Sequence, residues 1–187
     1  MSWPRSVGQE PLYYNALSTG RPPGDGVDPN EQKYVSRYID EQNSPQFPFG
    51  YGLSYSTFSY GNPSIDKTQL SAKSLNEGLH TKVQTPKEGL SVSAEVTNTG
   101  TRAGTETVQC YIRLRGTSVA QPVRVLSGFQ RITLAPRETK KVSFRLGPEA
   151  FAFWNDQQKF AAEPAKVTLW ISADSSQGTP AMLEITK

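Results

Sequence analysis

The sequence predicts an all-β protein in which an antiparallel β-sandwich follows an extended and largely irregular N-terminal arm. Three observations support this prediction: short alternating apolar runs after position 57, turn residues between those runs, and an initial stretch rich in proline and tyrosine. Strands at this spacing, without a helix of useful length, are typical of a sandwich of about seven strands. The immunoglobulin or fibronectin type III class fits the pattern best.

Residues 1–56 form the predicted arm. They contain seven of the fourteen prolines and six of the eight tyrosines, but no sustained helical or strand period. The stretch STGRPPGDGVDPNEQ favours turns, and its prolines prevent a helix from forming across it. Disordered segments are usually poor in aromatic residues, so the aromatic content predicts that the arm lies against another surface.

The stretch PFGYGLSYSTFSY, residues 48–60, joins the arm to the sandwich. It holds five aromatic residues and two glycines in thirteen positions. Gly50 and Gly52 allow the backbone to bend, and Phe58 and Tyr60 alternate with polar residues. This pattern predicts a turn that leads into the first strand.

Residues 57–187 carry the predicted sandwich. The runs LSVSAEVTN, TVQCYIRL, VSFRL and KVTLWIS each place alternate apolar side chains on one face of a strand, and AMLEI follows as a last strand. The residues predicted to face inward are Leu90, Val92, Ala94, Val96, Val108, Cys110, Ile112, Leu114, Val142, Phe144, Leu146, Val167, Leu169 and Ile171. Turns are predicted at NTGTRAG, LAPRE and GPEA. Trp154 and Trp170 are interpreted as bulk between the sheets, with ligand binding as the alternative.

Composition and charge restrict the classes of partner. The formal net charge is +3 without a cluster of lysine and arginine, so we expect no binding to nucleic acid. No run of eighteen apolar residues occurs, and the first ten residues lack the apolar core of a signal peptide, so we expect no membrane partner. Cys110 lies among alternating apolar residues, where a small buried hydrophobic side chain fits better than a reactive thiol.

The residues that could carry chemistry are scattered. A glycosidase needs two carboxyl groups at a defined separation, and no such pair can be identified here. We interpret the following acids as solvated turn and cap residues: Asp40, Glu41, Glu138, Glu149, Asp156 and Glu163. The one histidine, His80, stands in a polar stretch and is interpreted as an exposed loop residue, and the sequence contains no G-x-S-x-G serine elbow. One histidine with one cysteine cannot form a tetrahedral metal site. We therefore expect no cofactor, no metal and no catalytic residue.

Several motifs together resemble the C-terminal portion of the bacterial β-glucosidases of glycoside hydrolase family 3. They are WPRSVGQEPLYYN, TGRP, SRYID, FPFGYGLSYSTFSY, VTNTGTRAGTETVQCYI and LSGFQRITLAPRETKKVSFRL, in this order. The resemblance covers essentially the whole chain. It implies a three-part enzyme with a barrel domain, an α/β sandwich domain and a fibronectin type III-like domain. The family's S-D-W or S-D-Y nucleophile motif does not occur in this sequence, and none of its acids can be assigned as the acid/base.

The resemblance also divides the chain. Residues 1–56 correspond to the tail of the second domain and a linker, and residues 57–187 to the fibronectin type III-like domain. It implies that Phe47, Phe49, Tyr51 and Tyr55 pin the arm to catalytic neighbours, present in cis or in trans. Without that partner surface, we expect the arm to be mobile or to wrap onto the sandwich.

The motif SRYID is the one place whose residue types suit a sugar contact. Arg37 and Asp40 can bond hydroxyl groups, and Tyr38 offers a stacking face. The alternative is that Arg37 and Asp40 form a surface pair that shapes the loop.

Three functional hypotheses follow. The chain is the non-catalytic C-terminal part of a β-glucosidase that hydrolyses terminal β-D-glucosyl residues, a separate module that binds β-glucosides or oligosaccharides or acts in adhesion, or a subunit that complements a separate catalytic chain. The strands after Leu90 place few aromatic residues on their polar faces, which disfavours the binding module. Family resemblance suggests a periplasmic or secreted parent enzyme, although the family also has intracellular members.

Overall fold

The computed structural model describes residues 1–18, 21, 32–79 and 89–187, and confirms the all-β sandwich. His80, interpreted above as a loop residue, lies outside these residues. The described elements are β1 (Phe58–Tyr60), β2 (Ser64–Ile65), β3 (Gln69–Ser71), α1 (Ala72–Leu79), β4 (Leu90–Asn98), β5 (Gly104–Arg115), β6 (Val125–Leu134), β7 (Thr139–Leu146), β8 (Phe153–Trp154), β9 (Phe160–Ala161), β10 (Ala165–Ser172) and β11 (Ala181–Thr186), with short 3₁₀ helices at Val7–Gln9 and Pro148–Ala150.

Two sheets enclose one core. In the first sheet, β4 pairs with β7 along one edge and with β1 and β2 along the other, always antiparallel. The second sheet has the order β3-β11-β10-β5-β6 and is antiparallel except for the β3–β11 pair. Strands β8 and β9 form a separate hairpin.

The predicted inward faces are confirmed. Apolar side chains at alternate positions of β4, β5, β7 and β10 are buried in one hydrophobic cluster, and Leu114 packs against it while partly exposed. Cys110 is fully buried there, and burial raises the pKa of its thiol to about 12. The thiol is therefore protonated and shielded, as expected of a small core residue.

The structure contains more elements than the sequence patterns predicted. The strand β6 was missed because the apolar residues of its sequence, VLSGFQRITL, do not alternate over the whole run, and only Ile132 and Leu134 near its end are buried. The helix α1 was missed because it has only eight residues, of which Ala72 and Leu75 are buried. Ser71 caps this helix, since its hydroxyl accepts a hydrogen bond from the Ser74 amide at 3.4 Å.

The prediction that both tryptophans fill the space between the sheets is wrong. Trp154 is 68% exposed because it lies on the β8–β9 hairpin, outside both sheets. Trp170 alternates with the buried Leu169 and Ile171 on β10, so its ring lies on the outer face of the second sheet. There the Arg124 guanidinium lies 4.1 Å from the ring centroid.

The NTG turn after β4 depends on one buried amide. Asn98 has no exposed surface, and its Nδ2 donates to the carbonyl oxygens of Arg102 at 2.8 Å and Leu134 at 3.1 Å. Its Oδ1 accepts from the Gly100 amide at 2.9 Å. One side chain thus satisfies three backbone groups and connects the ends of β4, β5 and β6.

The arm covers part of the outer face of the second sheet. Tyr111 and Gln109 point away from the sandwich core, because they alternate with the inward Val108 and Cys110, yet both are buried. Tyr14 stacks on Phe49 with ring centroids 4.2 Å apart and meets the Tyr111 ring edge-on at 6.2 Å. The arm therefore wraps onto the sandwich and forms a third layer.

Backbone hydrogen bonds hold the arm at two points along the sheet. The Val123 amide donates to the Ala16 carbonyl at 2.9 Å, and the Ser175 amide donates to the Phe49 carbonyl at 2.9 Å. One attachment lies in each of the two arm segments that supply the stacked rings of Tyr14 and Phe49. The backbone near each of the two stacked rings is thus held by its own hydrogen bond to the sandwich.

Gly50 allows the arm to approach the sheet closely. Its φ is +88°, and a methyl group at its Cα would overlap the side-chain amide of Gln109. That amide has little freedom to move, since Tyr111 donates its hydroxyl to Oε1 at 2.5 Å and Nε2 donates to the Ala173 carbonyl. Gly52 has a similar φ of +79°, but a methyl group at its Cα would have no other atom within 4 Å.

In the described part of the chain, no helix combines the length and the apolar character needed to cross a membrane.

We predict that Gly50→Ala loosens the arm and Gly52→Ala does so far less. Both substitutions introduce an alanine at positive φ, which costs about 1 kcal/mol or more. Only Gly50→Ala also displaces the buried Gln109 amide, so we expect an additional loss of about 1–3 kcal/mol in the free energy of unfolding. Chemical denaturation measures the difference, and hydrogen exchange of residues 42–56 locates it.

The Gly52→Ala variant is the matched control for backbone strain. Equal losses in the two variants would show that the contact between Gly50 and Gln109 does not hold the arm on the sheet.

Candidate interdomain docking surface

The arm displays aromatic side chains on the side that faces away from the sheet. Trp3 is 61% exposed, Tyr51 56%, and the Tyr55 side chain is fully exposed. Phe47 is also exposed and stacks on Tyr51 with ring centroids 5.1 Å apart. We call Trp3, Phe47, Tyr51, Leu53 and Tyr55 the outer patch. Large exposed apolar groups in such density are typical of an interaction surface.

Backbone and side-chain hydrogen bonds join the two segments that form this patch. The Trp3 amide donates to the Phe47 carbonyl at 2.9 Å, and the Gln46 amide donates to the Trp3 carbonyl at 2.9 Å. Arg5 extends the connection, since its Nε donates to the Ser44 carbonyl at 3.0 Å and its Nη1 to the Gln46 Oε1 at 2.9 Å.

A buried glutamine also joins these two segments. Gln9 is 1% exposed, its Nε2 donates to the Gln42 carbonyl at 2.6 Å, and its Oε1 accepts from the Arg5 amide at 2.6 Å. The segment 1–9 and the segment 42–47 thus form one ordered unit. The outer patch is held in shape without a regular sheet beneath it.

The four residues predicted to dock between domains divide into two groups. Phe47, Tyr51 and Tyr55 are exposed in the outer patch. Phe49 points the other way, stacks on Tyr14 and lies over the sheet. Alternation between neighbouring exposed and inward aromatic residues gives the arm one face for the sandwich and another for solvent.

A buried carboxylate fixes the joint between the arm and the sandwich. Glu106 of β5 is 3% exposed and accepts a hydrogen bond from the Ser54 hydroxyl in the arm. It also accepts one from the Tyr60 hydroxyl in β1, at 2.6 Å. Burial, together with this bond to the carboxylate, raises the pKa of Tyr60, which stays protonated as the donor. The arm, through Ser54, and β1, through Tyr60, are therefore both hydrogen-bonded to Glu106.

A cation and a polar turn support the arm further along the sheet. Arg124 lies between the rings of Tyr111 and Trp170, and its Nη1 donates to the Gln177 carbonyl at 2.8 Å. Burial lowers the pKa of Arg124 to about 10, so the side chain remains a cation at neutral pH. Cation–π contacts of this kind strengthen when they are shielded from water.

The turn that contacts Phe49 is organised by a buried aspartate. Asp174 is 1% exposed, and its Oδ1 accepts from the Ser176 amide and hydroxyl at 2.8 and 2.7 Å. Its Oδ2 accepts from the Gln177 side chain at 2.9 Å. Asp174, Glu106 and Arg124 were not predicted from the sequence. The run ADSSQG does carry the signal of an Asp-initiated turn, whereas nothing in the sequence around Glu106 or Arg124 indicates its partners.

The candidate sugar-contact residues lie on an exposed loop of the arm. The Tyr38 amide donates to the Asn43 Oδ1 at 2.9 Å, and the Asn43 Nδ2 donates to the Ser36 carbonyl at 3.3 Å. Asn43 thereby closes the loop, which exposes Arg37, Tyr38 and Asp40. The structure brings these three residues onto one loop within the same arm as the outer patch.

The described residues contain no group of three or more His, Cys, Asp or Glu side chains that could hold a metal ion.

Three of the acids interpreted above as turn and cap residues accept hydrogen bonds from backbone amides. Glu138 accepts from the Ala135 amide at 2.6 Å, and Glu41 accepts from the Gln42 amide at 2.8 Å. Glu163 accepts from the Ser118 amide and hydroxyl, both at 3.0 Å.

Comparison with known proteins identifies the region to which this arrangement corresponds. The family model of the fibronectin type III-like domain matches residues 106–175. The chain is 44% identical over 179 residues to a periplasmic β-glucosidase of Salmonella typhimurium, and 41% identical over 175 residues to a β-xylosidase of Formosa agariphila. The alignments cover 95% and 94% of this chain but 21% of each relative.

Solved structures show the same correspondence. The fold matches a β-glucosidase from Listeria innocua, solved in complex with glucose, with a TM-score of 0.82 and 33% sequence identity. The match covers 100% of this chain and 24% of that protein, so the chain spans about a fifth to a quarter of the relatives it matches. The chain therefore carries a fibronectin type III-like domain and corresponds to the C-terminal region of the β-glucosidases of glycoside hydrolase family 3, in agreement with the sequence motifs.

Proposed function

We propose that the chain braces the catalytic domains of a β-glucosidase, an O-glycosyl hydrolase that removes terminal β-D-glucosyl residues, and contributes no catalytic residue itself. One observation carries this proposal. Twelve of the seventeen large hydrophobic residues that are exposed in the described part of the chain lie in residues 1–56. An ordered segment that exposes so much apolar surface is suited to pack against another protein surface.

The arm and the sandwich have different parts in this function. Residues 1–56 form the docking segment, which corresponds to the tail of the second domain and the linker, and residues 57–187 form the fibronectin type III-like body. The bonds of Ser54 and Tyr60 to Glu106 support this division, because they fix the docking segment to the body at the boundary. A body attached in this way can limit the movement of the catalytic domain that it contacts.

The partner is the catalytic portion of the same kind of enzyme, in cis or in trans. The names of most of the relatives support a β-glucoside as the substrate of the assembled enzyme, although two relatives are named as a β-xylosidase and a putative β-xylosidase. The exposed loop with Arg37, Tyr38 and Asp40 belongs to the docking segment, and we propose that it lies at the entrance of the catalytic pocket in the assembled enzyme. Its guanidinium, phenol and carboxylate are suited to bond sugar hydroxyls and cover one sugar face.

We predict that removal of outer-patch aromatics weakens assembly. The upstream catalytic portion of the Salmonella relative, mixed with this chain, should bind it and hydrolyse an aryl β-glucoside, whereas the chain alone should not. Tyr51→Ala and Tyr55→Ala should each weaken binding about tenfold or more, because burying an aromatic ring contributes about 2 kcal/mol. Isothermal titration calorimetry measures the affinity, and glucoside hydrolysis measures the assembled activity.

Phe129→Ala is the matched control, since Phe129 is 64% exposed on β6 of the body. It should leave the affinity unchanged. The proposal fails if Tyr51→Ala and Phe129→Ala have the same effect, or if the purified chain hydrolyses the glucoside on its own.

We predict a second, separable effect for the exposed loop. In the assembled enzyme, Tyr38→Ala and Asp40→Asn should raise the KM for an aryl β-glucoside about threefold to tenfold, because each removes one contact of roughly 1 kcal/mol with the sugar. The affinity between the chain and the catalytic portion should stay the same. If the KM is unchanged in both variants, the loop does not contact the sugar and only shapes the arm.

A further inference from the structure

The β8–β9 hairpin presents two aromatic rings to solvent. Trp154 and Phe160 are directly opposite each other in the pairing register. Their exposed fractions are 68% and 43%, and their ring centroids lie 5.9 Å apart at an interplanar angle of 55°. The Trp154 ring is therefore largely open to solvent, while the Phe160 ring lies beside it at a tilted angle.

The turn of the hairpin is rigid. The Asn155 amide donates to the Lys159 carbonyl at 3.0 Å, and the Asn155 Oδ1 accepts from the amides of Gln157 and Lys159, both at 3.0 Å. Gln158 adopts a φ of +57°, which closes the turn. Three hydrogen bonds to one asparagine thus fix the chain between the two aromatic residues.

The hairpin is also anchored to the sandwich on its C-terminal side. The Ala162 amide and carbonyl bond to the side-chain amide of Asn76 in α1, at 2.7 and 3.0 Å. Glu163 accepts two hydrogen bonds from Ser118, and the Ser118 amide, as the largest influence, holds the pKa of this carboxyl below its usual range. The hairpin backbone is therefore held at its C-terminal end, and the two rings lie exposed on it.

Polar side chains surround the rings. Asp156, Gln157, Gln158 and Lys159 are all exposed in the turn that joins β8 to β9. One carboxylate and one ammonium give the turn a formal charge of zero, which suits an uncharged ligand. The two amides and the carboxylate can bond several hydroxyl groups.

We propose that the β8–β9 hairpin is a saccharide-binding site, in which the C–H face of a pyranose ring stacks on Trp154. The ligand class is a neutral oligosaccharide, whose flat apolar faces and rim of hydroxyls match a free aromatic face surrounded by polar groups. A protein partner is a weaker fit, since the rings form an isolated pair instead of a continuous apolar patch like that of the arm. Rigid aromatic groups bind with a small loss of conformational entropy, which favours recognition by so few residues.

This site is independent of the proposed docking function. It lies on the body, whereas the outer patch lies on the arm. It would allow the body to hold a glycan chain that the assembled enzyme hydrolyses elsewhere. The two proposals therefore succeed or fail in different experiments.

The test is an NMR titration of the chain with cellohexaose, laminarihexaose and xylohexaose. The three tryptophans, at positions 3, 154 and 170, give three indole N–H signals that single substitutions assign. We expect the Trp154 signal to shift in a saturable manner with at least one saccharide, with a Kd of about 0.1–10 mM. Trp154→Ala should abolish the remaining shifts of the hairpin amides, and Trp154→Phe should retain weaker binding.

Trp3→Ala is the matched control, because it removes an exposed indole from the arm. It should leave the saccharide affinity unchanged. If the Trp154 signal does not move with any of the three saccharides up to about 10 mM, the proposal is overturned. It is also overturned if Trp154→Ala leaves saccharide binding intact, or if Trp154→Ala reduces association with the catalytic portion while no saccharide binds.

Discussion

The burial of the outer face of β5 is the constraint on which the rest of this structure depends. Tyr111 and Gln109 lie on the side of the strand that an isolated sandwich would leave in water, yet both are shielded. Their polar groups are satisfied by each other and by the Ala173 carbonyl, so they can be buried without leaving an unpaired donor. The arm segment that covers these two residues has no regular secondary structure. It must therefore follow the surface of the sheet closely wherever the two are in contact. The stacked rings of Tyr14 and Phe49 meet this requirement. Gly50 does so as well, because it has no side chain that would hold the backbone away from Gln109.

This constraint gives the arm two faces. A segment without regular secondary structure has no internal ladder of hydrogen bonds, so its shape must come from contacts. Toward the sandwich these are ring stacking and the bond of Ser54 to Glu106. Within the arm they are the bonds of Arg5 and Gln9 to the segment 42–46. With its inner aromatic residues committed to the sheet, the arm leaves its other aromatic residues in solvent, where they remain available for a partner.

The sequence predicted those features that depend on neighbouring residues. Alternation identified the inward faces of β4, β5, β7 and β10, because a residue spacing of two is a local consequence of strand geometry. It could not predict the burial of Tyr111, since the covering ring of Tyr14 is far away in the sequence. It also misplaced Trp154 and Trp170, because a large apolar side chain indicates that burial is favourable without showing which surface provides it. Phe49 and Tyr51 were assigned the same role from the family resemblance, and only the backbone turn at Gly50 separates an inward ring from an exposed one.

The joint at Glu106 determines how the body can act on a neighbour. If a linker joined the body to the arm without fixed contacts, the body would occupy many orientations and could restrain nothing. Here the arm and the first strand bind the same buried carboxylate, through Ser54 and Tyr60, and the turn organised by Asp174 holds Phe49 from the other side. Movement of the outer patch relative to the sheets would break several of these contacts at once. Under the proposed function, the sandwich would therefore add stiffness to the surface that the arm packs against, and this would not require that any residue of the sandwich reach the reacting sugar.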